Sequence, residues 1–482
     1  MLNSGDFTLL FWDDNYLSRW NNCRRGIGQP QLVPEATLEE PGFWLGSGYP
    51  TAFKHESGVW RILYNGKSVV PEEQPDSYAL VAESDDGIHW EKPDLTDRVP
   101  LPDRRYPNQV LRKSEDFHQW DCYFDERAED PNERVKGFAV GKGNHLWTSP
   151  EGLNWTRVEG VEWRKHSPDP PSTAYWNHVR GCYVISARPA PHAHPRRVAL
   201  SETKDFRSYS EPELVLQTDA LDTPLAEIYG MVAFPYADKF VGLVWIYHTD
   251  PVPLVKYWGG KTDCQLAYSY NGWHFNRSIR EPFIPNAEQG EYGAGTMRPH
   301  SLVVDDDNQI RIYSSASKLE HGYHINPHVG PKRLERGPAG EGNDTGALLM
   351  HRLRLDGFYY VESCFGPGMI GTRSLYWQGG EARFNIQSGL ETRVQVTDPT
   401  GEVIEGYSYA DCQPFTGDAL DWTPRWTGGR GLTSFTGQAI RLEIEMNNAR
   451  IYAIRGDFLP LSGRELRSFM DRGEKPIPRP GF

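Results

Sequence analysis

Four acidic residues have the types and spacing for acid–base chemistry: Asp121 in "FHQWDCYF", Asp169 in "KHSPDPPSTAYW", Glu227 in "DTPLAEIYGM" and Glu291 in "EQGEYGAGTMRPH". Each stands beside a short apolar or aromatic run, and the four come from well-separated stretches of chain. Splitting an acetal between two sugars takes two carboxyl groups about 5 to 9.5 Å apart, one ionised and one kept protonated by its surroundings. Glu227 reads as the proton donor, because Leu225, Ile228 and Met231 would lower the dielectric around it. Asp169 and Glu291 read as base or nucleophile, with Asp121 in reserve. His118, Arg298, His300, Lys318 and His321 are candidate contacts to hydroxyls or charge, and Trp44 and Tyr49 are candidate stacking faces.

Other chemistries find less. His321, His324 and His328 in "HGYHINPH" sit at loop spacing, which does not present a fixed ligand face, so no metal site is expected. No phosphate-cradling loop, nucleotide fingerprint or GxSxG elbow is present, and no cofactor is expected. A channel calcium held by backbone oxygens would leave no mark in sequence and stays open. Asp13 and Asp14 in "FWDDNY" read as turn formers, and Asp125 as a structural acid.

Net charge sets further bounds. With 51 Lys and Arg against 65 Asp and Glu, the chain carries −14, which argues against a nucleic-acid partner and an anionic membrane surface. A small neutral carbohydrate is the simpler ligand, and homo-oligomerisation stays open. Six cysteines without a CxxC pair read as reduced thiols, and "MLNSGDFTLLFWDDNY" does not resemble a secretory signal. The expectation is therefore a cytoplasmic protein.

The elements that would position these residues are strands. "SDDGIHW", "SPEGLNW", "SYNGWHF" and the looser "SETKDFRSY" recur about every 50 to 70 residues, near the period of four-stranded propeller blades with insertions. Glycine supplies positive φ and the serine hydroxyl can bond nearby backbone, so each copy reads as a hairpin turn that staples an aromatic beneath it. Between the copies lie paired apolar runs such as "PTAFKHES" with "VWRILYNG" and "WDCYFDER" with "VKGFAVG". The prediction is an all-β chain: a five-bladed β-propeller over 1–365, its ring closed by the strand near "FTLLFWDDNYL". A jelly-roll-like β-sandwich would follow over 366–458, where alternation becomes dense in "TRVQVTD" and "QAIRLEIEMNNARIYAIRG". The tail, 459–482, holds one short helix.

The order "LFWDDNYL", "SDDGIHW", "CYFDERAEDPNERVKGF", "TPLAEIYGMVAFPY", "DCQLAYSYNGWHF", "LRLDGF" and "ARIYAIRG" resembles the invertase, levansucrase and arabinanase superfamily of glycoside hydrolases, in a family 32/43-related branch with a C-terminal sandwich. The resemblance covers almost the whole chain. It implies cleavage of glycosidic bonds in small oligosaccharides or glycosides, furanosides among them, by carboxylates over the propeller channel. The Asn-Asp-Pro, Arg-Asp-Pro and Glu-Cys motifs of invertase-like enzymes do not stand at the matching places, and "LGSGYPTAF" holds no acid where the nucleophile would be. The turn copies are also close to the sialidase Asp box, although "SDDGIHW" is one residue shorter. Two alternatives therefore remain beside the hydrolase: a non-catalytic carbohydrate-binding propeller, or a polysaccharide lyase or epimerase working through His118, Tyr229 or His300.

Overall fold

The computed structural model describes residues 6–68, 77–102, 104–111, 117–141, 144–162, 173–189, 195–250, 259–321 and 346–478. Strands dominate them, as the alternating patterns predict, and among the described residues one α-helix is found. The chain divides into two compact units, Pro30–Leu353 and the pair Met1–Gln29 with Arg354–Phe482. This differs from a boundary at 365, because the N-terminal strand does not close the larger unit.

In the larger unit the strands form successive antiparallel groups. Thr51–Lys54, Trp60–Ser68 and Ser77–Ser84 pair in turn, with Phe43–Trp44 beside Trp60–Ser68. Phe117–Phe124, Val135–Gly141, His145–Ser149 and Thr156–Glu162 form a second group, and Ala174–Asn177, Cys182–Ala187, Val198–Thr203 and Glu213–Leu216 a third. Ala226–Tyr236, Lys239–Asp250 and Gly259–Ser269 form the fourth. A parallel pairing of Thr262 with Thr296 joins it to the fifth, Thr296–Val304, Gln309–Ser317 and Gly346–Arg354. The edge of Gly346–Arg354 is taken by Gln31–Leu32 and Leu38–Glu39, which is how the start of this unit meets its end.

The repeated turns explain how the groups are held together. Ser84 Oγ accepts from the Gly87 amide at 2.9 Å, Ser149 Oγ from Gly152 at 2.8 Å and Ser269 Oγ from Gly272 at 2.9 Å. In the looser copy Thr203 Oγ1 plays this part for Phe206, which takes the left-handed conformation at φ 56° where the others have glycine. Each turn seats on the group before its own. The Gly272 carbonyl accepts from Tyr175 Oη at 2.7 Å, Phe206 packs on Phe138 and Tyr123, and the Glu151 carbonyl accepts from Arg61 at 3.0 Å. The first turn seats on the fifth group, where Tyr313 Oη donates to the Gly87 carbonyl at 2.9 Å. The staple thus works between sheets as well as within a hairpin.

The smaller unit is one eight-stranded antiparallel sheet. Its long strands, Leu375–Thr397 and Ala439–Pro460, pair along most of their length with bulges that bend them. Phe7–Leu10, the strand expected to close the larger unit, pairs here with Ala453 to Gly456. Leu9 and Leu10 on it, and Phe11 and Trp12 just after it, are fully buried, so apolar complementarity to this sheet decides its place. Asp13 and Asp14 form a turn as expected, Asp13 accepting from the Asn15 amide at 2.8 Å and Asp14 pairing with Arg25 at 2.5 Å. The tail helix, Gly463–Arg472, starts with a reciprocal Ser462–Glu465 capping box and ends at Gly473 with φ 68°.

Candidate active site

In four of the five groups of the larger unit the first strand carries residues of interest, on it or just before it. Tyr49 precedes Thr51–Lys54, Asp121 lies on Phe117–Phe124, Glu227 and Tyr229 open Ala226–Tyr236, and Arg298 and His300 open Thr296–Val304. These strands are neighbours: Thr51 Oγ1 donates to the Cys122 carbonyl at 2.9 Å, and Ser301 Oγ accepts from the Ala52 amide at 3.1 Å. On the first strands of the five groups, Phe53, Phe124, Trp176, Pro235 and Val303 help line a cavity of about 630 Å³ that reaches back to His300.

His300 and Asp121 meet in the buried centre, Nε2 to Oδ1 at 3.6 Å, both side chains without solvent exposure. Burial pushes the His300 imidazole down to about 4, so the ring is neutral at physiological pH. Its Nδ1 lies 3.2 Å from the Pro50 carbonyl. Tyr49 stacks on Trp245 with centroids 5.8 Å apart and tilts against His300. Burial, the largest cause, raises the Tyr49 phenol far above its ordinary range, which keeps it a neutral hydrogen-bonding group.

Beside this aromatic floor lies a cationic cluster. The Arg298, Arg188 and Arg196 guanidinium carbons stand 4.1, 5.0 and 5.2 Å from the Tyr229 ring centroid. Arg298 is fully buried and donates to the Gly46 carbonyl and Ser47 Oγ, while Arg188 donates to the Tyr229 carbonyl at 2.9 Å. Arg196 Nη1 donates to Glu227 Oε2 at 3.1 Å. Tyr247 and His321 complete the wall, with His321 edge-on to Tyr229 at 4.9 Å and to Tyr247 at 5.2 Å. Asp121 and Glu227 are thus the two ends of a contact chain running through His300, Trp245, Tyr229 and Arg196.

Several sequence expectations change. Glu227 is buried, but not among the apolar trio: Ile228 and Met231 join the core on the other face of the strand, and Leu225 is exposed. Its partner is the Arg196 guanidinium at 3.1 Å. Glu291 does not join the cluster; it is exposed in a turn where its amide donates to the Glu288 carbonyl, because glycines 290 and 293 take positive φ and coil this segment before the strand begins. Lys318 lies on Tyr292 at 4.4 Å, in the same peripheral patch. Trp44 is buried beneath Gly46, where an added Cβ would meet the indole at 2.6 Å, so it offers no open stacking face. Asp169, His324, His328 and the side chain of His118 lie outside the described residues. Asp125 is structural as read, paired with Lys136 at 2.9 Å in full burial. Among the described residues no group of three or more His, Cys, Asp or Glu is arranged to hold a metal ion, and no helix is long and apolar enough to cross a membrane.

Sequence reasoning did not single out Arg188, Arg196 or Trp245. Arg188 follows the strand Cys182–Ala187 and Arg196 precedes Val198–Thr203, and only the fold turns them toward Tyr229.

No protein family model and no curated protein matches the chain. Solved structures similar to it include a glycosyl hydrolase from Bacteroides ovatus, at 13% identity over 73% of this chain and 97% of that one, with TM-score 0.42. A β-1,2-mannobiose phosphorylase from Listeria innocua is similar at 12% identity over 70% and 98%, TM-score 0.41. An N-acetylgalactosamine deacetylase from F. plautii is similar at 12% over 66% and 94%, TM-score 0.42. Likenesses at this level carry no activity to this chain, so function is argued from its own site.

Proposed function

We propose that the five strand groups of the larger unit are the blades of a five-bladed propeller, and that the protein is a carbohydrate-active enzyme cleaving glycosidic bonds of small saccharides over the channel. The blade reading is supported by the cyclic seating of the repeated turns, each on the preceding group and the first on the fifth. The observation that carries the function is the convergence of Tyr49, Asp121, Glu227, Tyr229, Arg298 and His300 from the first strands of four groups onto one aromatic floor.

In this reading Asp121, wholly buried and faced by a neutral His300, is the proton donor to the leaving oxygen. Glu227, held by Arg196, is the ionised partner that acts as base or nucleophile. Tyr49 and Trp245 are buried and stacked on each other, and they support the site from beneath.

The test is product release from a panel of furanosides, pyranosides and short oligosaccharides, with the parent, Asp121→Asn and Glu227→Gln side by side. Turnover by the parent that falls at least about a hundredfold in each variant is expected. Undiminished turnover in both variants would remove these two residues from the chemistry. A parent that binds saccharides but turns none over would leave the propeller a binding module.

A further inference from the structure

We propose that the guanidinium cluster around Tyr229 is an oxyanion-binding subsite, taking the carboxylate of an acidic sugar or a phosphate; as a subsite of the reaction it rests on the reading above, although its binding can be measured without any turnover. Three guanidinium groups gathered within 5.2 Å of one ring set up a positive local field, and Glu227 stands beside it, paired with Arg196.

Arg298 is the member whose needs the protein leaves unmet. Its side chain is fully buried, Nη1 has backbone and hydroxyl acceptors, and Nε and Nη2 meet no acceptor among the described residues. Buried charged donors are rarely left so, because each unpaired one costs the desolvation of a cation. Lys67, on Trp60–Ser68 opposite Trp44, adds a second charge within electrostatic reach of Tyr229. Burial lowers its ammonium from the ordinary range, the opposing influence is the Tyr229 phenol, and no carboxylate among the described residues forms an ion pair with it.

The cluster is graded in depth. Arg298 and Arg188 are sealed, whereas Arg196 and Lys67 keep some exposure. An incoming oxyanion would contact Arg196 and Lys67 and lie in the field of the two arginines beneath, which water hardly screens. The Tyr229 and Tyr247 rings, edge-on to each other and to His321, back the cluster from its buried side. The net −14 of the chain argues for a neutral ligand only on average; locally the sign is reversed.

The experiment is calorimetric titration of the full chain with glucuronate, inorganic phosphate and glucose, at low and at physiological ionic strength. Glucuronate or phosphate is expected to bind at least about tenfold tighter than glucose, more weakly as salt rises, and to lose about tenfold or more in Arg196→Gln and in Lys67→Gln. Arg196→Lys, which keeps the charge without the fork, should lose less. Binding of glucuronate alone identifies an acidic sugar, and binding of phosphate alone identifies a phosphate co-substrate. The salt and glucose comparisons on the unaltered protein need no variant to fold. Equal affinity for glucose and the anions, indifference to both substitutions, or no anion binding up to about 10 mM would overturn the proposal. Cleavage of neutral glycosides without anion binding would remove this inference and leave the proposed reaction, whereas anion binding without cleavage of any glycoside would keep this inference and remove the reaction.

Discussion

His351 gives a sharp test of the burial argument, because it lies in the fifth strand group, not in the cluster around Tyr229. Its side chain is buried on Gly346–Arg354, and burial alone lowers its imidazole from 6.5 to about 4. A histidine kept neutral in the fold but free to protonate when unfolded contributes stability that is present above pH 6.5. That contribution is lost as pH falls toward 4, where the unfolded chain gains a proton the folded chain refuses. Between pH 7 and pH 5 this one group should cost about 2 kcal/mol, from 1.36 kcal/mol per unit over the part of the window crossed. In a unit of this size that is a fall in Tm of roughly 4 °C. His351→Leu removes the titration and leaves every other group, His300 included, to titrate as before. The assay is thermal unfolding of both proteins at pH 7 and pH 5, read as the difference between their two Tm drops. The variant should drop less by roughly 4 °C. Equal drops would mean that His351 titrates normally, and would refute the inference from burial to a neutral ring that also underlies the role given to His300.

Three further outcomes are expected. Lys136→Met should destabilise by about 3 to 5 kcal/mol, because it strands the Asp125 carboxylate in full burial; Lys136→Met with Asp125→Leu should recover much of that, read by thermal or urea unfolding. Gly272→Ala should cost about 1 to 3 kcal/mol in the same measurement, since φ is +65° and the new Cβ would meet Asn177 Nδ2 at 2.6 Å and Phe240 at 2.9 Å. Trp245→Ala should raise KM for any accepted saccharide more than it changes kcat, because it removes the ring that supports Tyr49, while a loss in kcat alone would contradict a binding role.

Much of the fold was legible because strands and tight turns write themselves locally. Serine, a small polar residue and glycine at fixed offsets demand the turn seen at Ser84, Ser149 and Ser269, and alternation marks the strands beside it. What escaped is long-range pairing. Phe7–Leu10 is an apolar strand that any sheet edge could accept, and nothing within it distinguishes the edge of Gly346–Arg354 from that of Ala439–Pro460. Two residues of Gln31–Leu32 and two of Leu38–Glu39 took the first edge instead, runs too short to register as strands in sequence.

The site divides along the same line. Asp121, Glu227, Arg298 and His300 lie on first strands, and polar residues at such addresses stand out from apolar surroundings. Glu291 holds an equally good address on paper and still misses, since positive φ at glycines 290 and 293 turns the chain before the strand begins. The surroundings of Glu227 escaped for a different reason. The neighbours that matter to a strand residue lie across sheets, and Arg196, 31 residues earlier in the chain, decides the charge around it where Ile228 and Met231 cannot. A strand's own letters alternate between two faces, so the residues next to a carboxylate in sequence are the ones least able to set its chemistry.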